Sequence, residues 1–226
     1  MCPPLDTTDP ARQLIHIPIL HSPADMGSMG EKLVSAYIER FGRRHWEEYL
    51  AAIEGFWRNV RAELDRLQLN YSRVDLYQDG LPVCGREMEI VQKAGAMGGE
   101  NYKLLLDLLD KGATLMGTED PNLLLREYRS VQAGLAACDT GVSPTRVADV
   151  LAESGIPAAE PAGIPDTHDG NRPSLQTRSN RDAYIGRRID ASLQPGRIGI
   201  LFLGMTHDVE SYLPADIVVR RLARPG

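Results

Sequence analysis

Short apolar segments alternate with longer amphipathic segments along this chain, and no other feature constrains its fold as strongly. The apolar segments are typical of strands bounded by turn residues, at 12–20, 74–77, 113–116, 198–203 and 216–219. Between them lie helical patterns, of which the clearest runs from Trp46 to Leu67 with its apolar residues on one face. Strands that alternate with helices form mostly parallel sheets covered on both faces. The sequence therefore predicts a three-layer α/β domain, with a largely parallel central sheet flanked by helices.

Cap and turn residues locate the other helices and one defect in the first strand. Helices are predicted at 31–40, 86–93, 101–109, 121–128, 143–153 and 181–193. Asp120-Pro121 and Ser143-Pro144 each supply an N-cap followed by proline at the first helical position. Pro18 removes a backbone donor from the first strand, which predicts an edge position or a bulge there.

Residues 155–180 differ in composition from the rest of the chain. Prolines are spaced through this segment among Gly, Ser, Asn and Thr, and its apolar residues show no period. So long an irregular segment is typical of a lid, a binding loop or a disordered insertion. The chain of 226 residues has the length of one domain. We therefore predict a single α/β domain over 1–226, with an irregular loop or lid at 155–180.

Composition and charge exclude several classes of protein. The net charge of −6 argues against a dedicated nucleic-acid binder, because such a protein needs a basic face. No apolar run approaches the roughly 18 residues of a membrane span, and the first residues lack the pattern of a signal peptide. The cysteines form no CxxC pair. We expect a cytoplasmic protein that acts on a small molecule or peptide, without a nucleic-acid or membrane partner.

The oligomeric state stays open at this point. The leucine runs at 104–106 and 123–125 are apolar enough for either the core or a contact between subunits of a homo-oligomer. The periodicity of the sequence does not separate these two uses.

Polar residues follow several predicted strands, at the edge of the sheet where ligands bind in open α/β folds. His21 follows the first strand, Asp79 the second, Glu119 the third, and His207 the fourth. A helix that returns to a parallel strand begins at the same edge, which also places Arg181 there. The sequence therefore predicts that two imidazoles, several carboxylates and a guanidinium converge at the carboxyl edge.

Several polar residues near this edge have a competing structural role. Asp25 and Glu31 are candidates for substrate binding, but either could instead stabilise a helix start through the helix dipole. Asp120 has a complete role as an N-cap, so Glu119 is the preferred candidate at that strand end. His16 lies within a strand and is expected to be a packed, hydrogen-bonded core histidine.

Two chemistries fit these residue types. In one, His21, His207 and a carboxylate bind a divalent first-row metal, which lowers the pKa of a bound water. In the other, a histidine or carboxylate is the general base on water, and Arg181 neutralises the developing oxyanion. A glycine-rich stretch at 95–99 could approach a phosphate but matches neither the P-loop nor the dinucleotide motif. We interpret it as a helix end and connection.

The ordered set of motifs resembles a known superfamily, which joins the TIKI/TraB proteins, the ChaN-like haem-binding lipoproteins and the erythromycin esterases. That superfamily has two GxxH motifs, each after a strand, and an arginine-led helix before the second. Here RDAYI at 181–185 leads into ILFLGMTH at 200–207. PILH at 18–21 has proline in place of the first glycine, and LYQD at 76–79 has aspartate where the superfamily has a strand-end glutamate.

The resemblance implies hydrolysis of an ester or amide bond, in some members with a divalent metal such as manganese or cobalt. Its functional positions carry over to His21, Arg181, His207 and Asp79, of which the two histidines and Asp79 would be the metal ligands. We therefore expect a hydrolase that works with or without a divalent metal (manganese, cobalt or zinc). The alternative is a non-enzymatic protein on the same scaffold that binds a small ligand or another protein.

Overall fold

The central sheet is parallel throughout. The structure is a computed structural model that describes residues 11–19, 30–129 and 175–222. Within these residues the strands, in chain order, are β1 (Arg12–Ile19), β2 (Val74–Gln78), β3 (Thr114–Met116), β4 (Ile198–Gly204) and β5 (Ile217–Arg221). They form one sheet in the order β3-β2-β4-β1-β5, and every neighbouring pair is parallel. The predicted α/β class is confirmed.

Helices cover both faces of this sheet. In chain order they are α1 (Gly30–Phe41), α2 (Arg43–Arg66), α3 (Glu87–Ala96), α4 (Glu100–Asp110), α5 (121–129) and α6 (Leu175–Ser192). Short 3₁₀ turns lie at Tyr71–Arg73 and Glu210–Tyr212. The larger core packs side chains of α1 to α4 on one face of the sheet, and a smaller core packs α6 on the other. This is the three-layer arrangement that the sequence predicts.

Helix α2 owes its length to one continuous apolar stripe. Its buried residues recur at helical spacing: Trp46, Tyr49, Ile53, Phe56, Trp57, Val60 and Leu64. Both tryptophans lie in the core as predicted, and the Trp57 ring is 6.3 Å from the ring of Phe202 on β4. Leu50, which the periodicity also places on the stripe, is 39% exposed. The stripe therefore anchors α2 to the sheet just below the carboxyl end of β4.

The prediction of an edge or a bulge at Pro18 is wrong, because β1 lies inside the sheet between β4 and β5. The carbonyl of His16 accepts a hydrogen bond from Leu222 N, so His16 presents its backbone groups to the β5 side. Pro18, two residues on, faces the same side. Pairing with β5 ends at His16 and Arg221, so the missing proline N–H lies beyond the end of β5. The strand therefore loses no ladder bond there.

The segment predicted as an irregular loop is helical at its end. Helix α6 begins at Leu175 rather than at the predicted Arg181, so residues 175–180 belong to the helix. The helix predicted at 143–153 and residues 155–174 of the predicted loop lie outside the described residues.

The two leucine runs have different surroundings. Leu104 and Leu105 of α4 are buried in the larger core, whereas Leu125 of α5 is 45% exposed. The first run therefore serves the core, and the second presents apolar surface. None of the helices within the described ranges is long and apolar enough to cross a membrane.

Candidate functional site

Four of the residues predicted at the carboxyl edge lie together in the structure. Asp79 directly follows β2, Glu119 ends the loop after β3, and His207 follows β4, while Arg181 comes from α6. The parallel sheet brings the ends of these strands to one edge. Two further predicted residues, His21 and Asp25, lie outside the described residues.

Arg181 is the centre of a buried ion cluster. Its side chain is 5% exposed, and its Nε and Nη2 donate to the two oxygens of Glu119, each at 2.6 Å. Nη2 also donates to Asp79 Oδ1 at 2.9 Å, and Nη1 donates to Glu127 of α5. Every nitrogen of the guanidinium therefore donates to a carboxylate. The planar fork of arginine is suited to this two-point pairing.

Backbone N–H groups fix the two innermost carboxylates. Gly204 N, at the end of β4, donates to Asp79 Oδ2 at 2.9 Å, and Gly80 N donates to Glu119 Oε1 at 2.7 Å. Gly80 has a φ of 73°, a conformation that glycine adopts without steric cost. The Gln-Asp-Gly sequence at 78–80 thus turns the chain so that Asp79 contacts Arg181 and the backbone N–H of Gly80 binds Glu119.

The cluster carries more negative than positive charge. Burial raises the pKa of Glu119 to about 7, although Arg181 opposes the rise, and the carboxylate of Asp79 adds to it. Burial lowers the pKa of Arg181, but Glu119 and Asp79 raise it by more, so the guanidinium stays charged. A single guanidinium thus neutralises only part of the three carboxylates it contacts. The remaining negative charge favours a positive charge on a neighbouring imidazole.

His207 is that imidazole, and Asp182 of α6 holds it in place. His207 Nδ1 lies 2.5 Å from Asp182 Oδ1, and the other oxygen of Asp182 accepts from Asp208 N at 3.0 Å. Both side chains are buried, with 6% and 5% exposed. Since a carboxylate accepts, Nδ1 carries the proton and Nε2 is the atom left to react. Nε2 lies 3.8 Å from Asp79 Oδ2, too far for a direct hydrogen bond.

No role was predicted for Asp182, although it is adjacent to Arg181. Successive residues of a helix are turned by about 100° from each other. The two neighbours therefore reach different partners, Arg181 towards Glu119 and Asp182 towards His207. The signal that could have identified Asp182 is its position next to Arg181, on a helix that was already placed at the carboxyl edge of the sheet.

The chain matches no protein-family model, no curated protein and no solved structure. The chemistry of the carboxyl edge is therefore the basis on which a function can be proposed.

A second buried histidine, His16 of β1, has a different setting. Its Nδ1 lies 2.9 Å from Glu210 Oε1, and Glu210 also accepts from Arg221 Nε at 2.7 Å. His16 Nε2 is buried and has no hydrogen-bond partner among the residues that the structure describes. The predicted packed, hydrogen-bonded core histidine is confirmed, with one of its two nitrogens bonded.

The pKa values of the two histidines are expected to shift in opposite directions from the ordinary histidine value. Burial lowers the pKa of both, but Asp79 and Asp182 outweigh it and raise the pKa of His207 above 6.5. At His16, burial outweighs Glu210 and the pKa falls below 6.5. Protonated His207 therefore stabilises the fold fully below pH 6.5, and this contribution is lost as pH rises through its folded pKa. Neutral His16 stabilises the fold above pH 6.5, and this contribution is lost as pH falls.

Proton NMR titration of the imidazole C–H signals, assigned with His16→Gln and His207→Gln variants, checks this prediction. We expect the His207 midpoint above the ordinary histidine value of about 6.5 and the His16 midpoint below it. A His207 midpoint below that value would show that burial, rather than the two carboxylates, controls the imidazole.

The remaining predicted residues have structural roles where they are described. Asp120 Oδ1 accepts from Asn122 N at 2.7 Å and from Leu123 N at 3.1 Å, which confirms the N-cap of α5. Glu31 lies exposed in the first turn of α1, and its contact with substrate stays a prediction. The glycine-rich stretch ends α3 and precedes α4, with φ of 101° at Gly98, as expected for a connection.

The predicted metal ligands are only partly described. His207 Nε2 and Asp79 Oδ2 are two donors of the predicted set, and His21 is the third. Asp79 Oδ1 and Oδ2 each already accept a hydrogen bond, from Arg181 and Gly204 respectively. Over the described ranges, no group of three or more His, Cys, Asp or Glu side chains is arranged to hold a metal ion. The described donors alone therefore do not complete such a site.

Proposed function

We propose that this chain hydrolyses an ester or amide bond at the carboxyl edge of its sheet, with His207 as the proton-transferring residue. The observation that carries the proposal is the buried pair of Asp182 and His207. A carboxylate on Nδ1 fixes both the tautomer and the orientation of the ring, as in hydrolases that use an Asp-His pair. The opposite nitrogen, Nε2, lies 3.8 Å from Asp79 Oδ2, beyond hydrogen-bond distance, and would be the atom that takes the reacting proton.

The proposed reaction begins with neutral His207. Nε2 takes a proton from water while the water oxygen forms a bond to the substrate carbonyl carbon. The tetrahedral intermediate then breaks its bond to the leaving oxygen or nitrogen, which receives the proton from Nε2. Asp182 and Asp79 stabilise the imidazolium between these two steps. Because the same carboxylates raise the pKa of His207, the rate is expected to rise with pH through that pKa.

Arg181 is assigned a positioning role in this proposal. The sequence interpretation gave it the neutralisation of an oxyanion, but all three of its nitrogens donate to Glu119, Asp79 and Glu127. A guanidinium with these partners orients Asp79 beside His207 and holds α5 and α6 at the sheet edge. The effect of Arg181 on turnover would thus pass through Asp79 and His207.

The metal-dependent form of the reaction belongs to the same proposal, and His207, Asp79 and His21 would be the residues that hold the metal. A bound manganese, cobalt or zinc ion would supply a water of lowered pKa. Both forms need neutral His207, so the raised pKa of His207 does not separate them. The metal-free form needs only residues that the structure describes, whereas the metal-dependent form also needs His21.

Turnover of a panel of p-nitrophenyl esters and aminoacyl p-nitroanilides tests the proposal. Wild type and His207→Gln are compared, since a contaminating hydrolase would be unaffected by the substitution. We expect hydrolysis by the wild type, a rate that rises with pH, and loss of the activity in His207→Gln. Hydrolysis that persists in a folded His207→Gln protein would contradict the role of His207. A wild type without any hydrolysis would favour the alternative of a ligand-binding protein.

The metal arm of the same experiment uses protein purified without chelator. We expect turnover to survive EDTA and metal content to fall well below one ion per chain. The opposite result is one manganese, cobalt or zinc ion per chain in the wild type and none in a His21→Ala/His207→Ala double variant. That result would assign both histidines as ligands, and the metal-dependent form would replace the metal-free one.

A further inference from the structure

Helices α5 and α6 line a groove on the outer surface of the molecule. Its volume is about 400 Å³, within the range of small-molecule sites. Polar groups line it from both helices: Asp120, Asn122 and Arg126 on one side, and Asn180, Tyr184 and Arg187 on the other. The α6 residues recur at positions i, i+4 and i+7, on a different face from Asp182, Ile185 and Ile189. The groove therefore lies on the opposite face of α6 from Asp182.

Two exposed arginines give this groove its charge. Arg126 and Arg187 form no ion pair with any other residue that the structure describes. By contrast, Arg181 of the same helix α6 is bound to carboxylates, and Arg188 Nε donates to Gly117 O at 3.0 Å. Both walls of the groove thus carry an arginine without an ion-pair partner among the described residues, in a chain with a net charge of −6.

Among the described residues of the lining, Asp120 is the one carboxylate, and it offsets one of the two positive charges. Asp120 caps α5, and its Oδ1 accepts the N–H groups of Asn122 and Leu123. Two guanidiniums against one carboxylate leave the lining with a net positive charge. The groove therefore favours an anion, against the negative field of the whole chain.

We propose that this groove binds the phosphate group of a small phosphate monoester. Each guanidinium presents a fork of donors that matches two oxygens, and two forks exceed what a single carboxylate accepts. A phosphate monoester offers three terminal oxygens and up to two negative charges. Arg126 and Arg187 would bind these oxygens from opposite walls, and the side-chain amide of Asn122 adds a neutral donor. This inference does not depend on the proposed hydrolysis.

Calorimetric titration of the full chain with phenyl phosphate and with inorganic phosphate tests the site, at constant ionic strength. Wild type is compared with an Arg126→Ala/Arg187→Ala variant. The matched control is Arg43→Ala/Arg73→Ala, which removes the same charge from two exposed arginines elsewhere. We expect saturable binding of phenyl phosphate, weakened at least about tenfold in the groove variant because two charge-assisted contacts are lost. The control should differ from wild type by no more than about twofold, because distant exposed charges are screened.

Three outcomes would overturn the proposal. These are a wild type that shows no saturable binding, a groove variant that binds as tightly as the control, and malonate that binds as tightly as phenyl phosphate. The last would assign the groove to carboxylates instead. Because the readout is binding, the result is independent of whether the protein hydrolyses any ester or amide. Circular dichroism of both variants confirms that they are folded.

Discussion

Replacement of Arg181 by leucine is expected to lower the free energy of unfolding by about 3–5 kcal/mol, the cost of removing one partner from a buried ion pair. The substitution leaves Glu119 fully buried and Asp79 nearly so, without the guanidinium that both contact. Since these carboxylates can become neutral by taking up protons, the loss should be larger near pH 8 than near pH 5. Urea denaturation at both pH values measures it.

The matched control is Arg61→Leu, which removes an arginine from an exposed ion pair with Asp107. Those side chains are 40% and 49% exposed, and such pairs contribute about 0–1 kcal/mol. If Arg181→Leu costs no more than Arg61→Leu, the buried cluster does not stabilise the fold. Where Arg181→Leu alone fails to fold near pH 8, adding Glu119→Gln removes one buried charge and should restore part of the lost stability.

The strands and most helices could be predicted because their signals are local. The apolar run at 198–203 predicts a strand and the apolar stripe of α2 predicts a helix, and few other structures fit either pattern. Asp120-Pro121 likewise marked the start of α5 correctly. The start of α6 was missed by six residues, because residues 175–180 are mostly polar and lack the apolar period that marks a helix.

The contacts within the site were beyond prediction because they depend on strand order. Asp79 binds Gly204 because β4 lies beside β2, and nothing in the local sequence determines that neighbour. The same applies to Glu127, which reaches Arg181 only because α5 lies close to α6. The expectation that polar residues after the strands line a site therefore identified the carboxyl edge and several of its residues. It did not predict which of these residues are bonded to each other. In particular, that expectation identified His207 but not Asp182, which orients the His207 ring.

Asp182→Asn is expected to lower kcat by about 10²–10⁴-fold, the range for a positioned general base and its orienting carboxylate. An asparagine amide that donates to Nδ1 moves the ring proton to Nε2, where it blocks proton abstraction from water. An amide oxygen that accepts from Nδ1 keeps the tautomer but provides no charge for the imidazolium. The pKa of His207 should fall in this variant, because the hydrogen bond that Nδ1 donates to the Asp182 carboxylate raises it.

A merely structural role for Asp182 would produce a different pattern. Asp190→Asn is the control, since Asp190 lies on the same helix, is half-exposed and pairs with Arg12 at the other edge of the sheet; it should leave kcat unchanged. If Asp182 acts through His207, the Asp182→Asn/His207→Gln double variant should be no slower than His207→Gln alone. Additive losses in the double variant, or a normal kcat in Asp182→Asn, would show that the pair does not work as one unit. The proton transfer would then have to be assigned to another group at this edge.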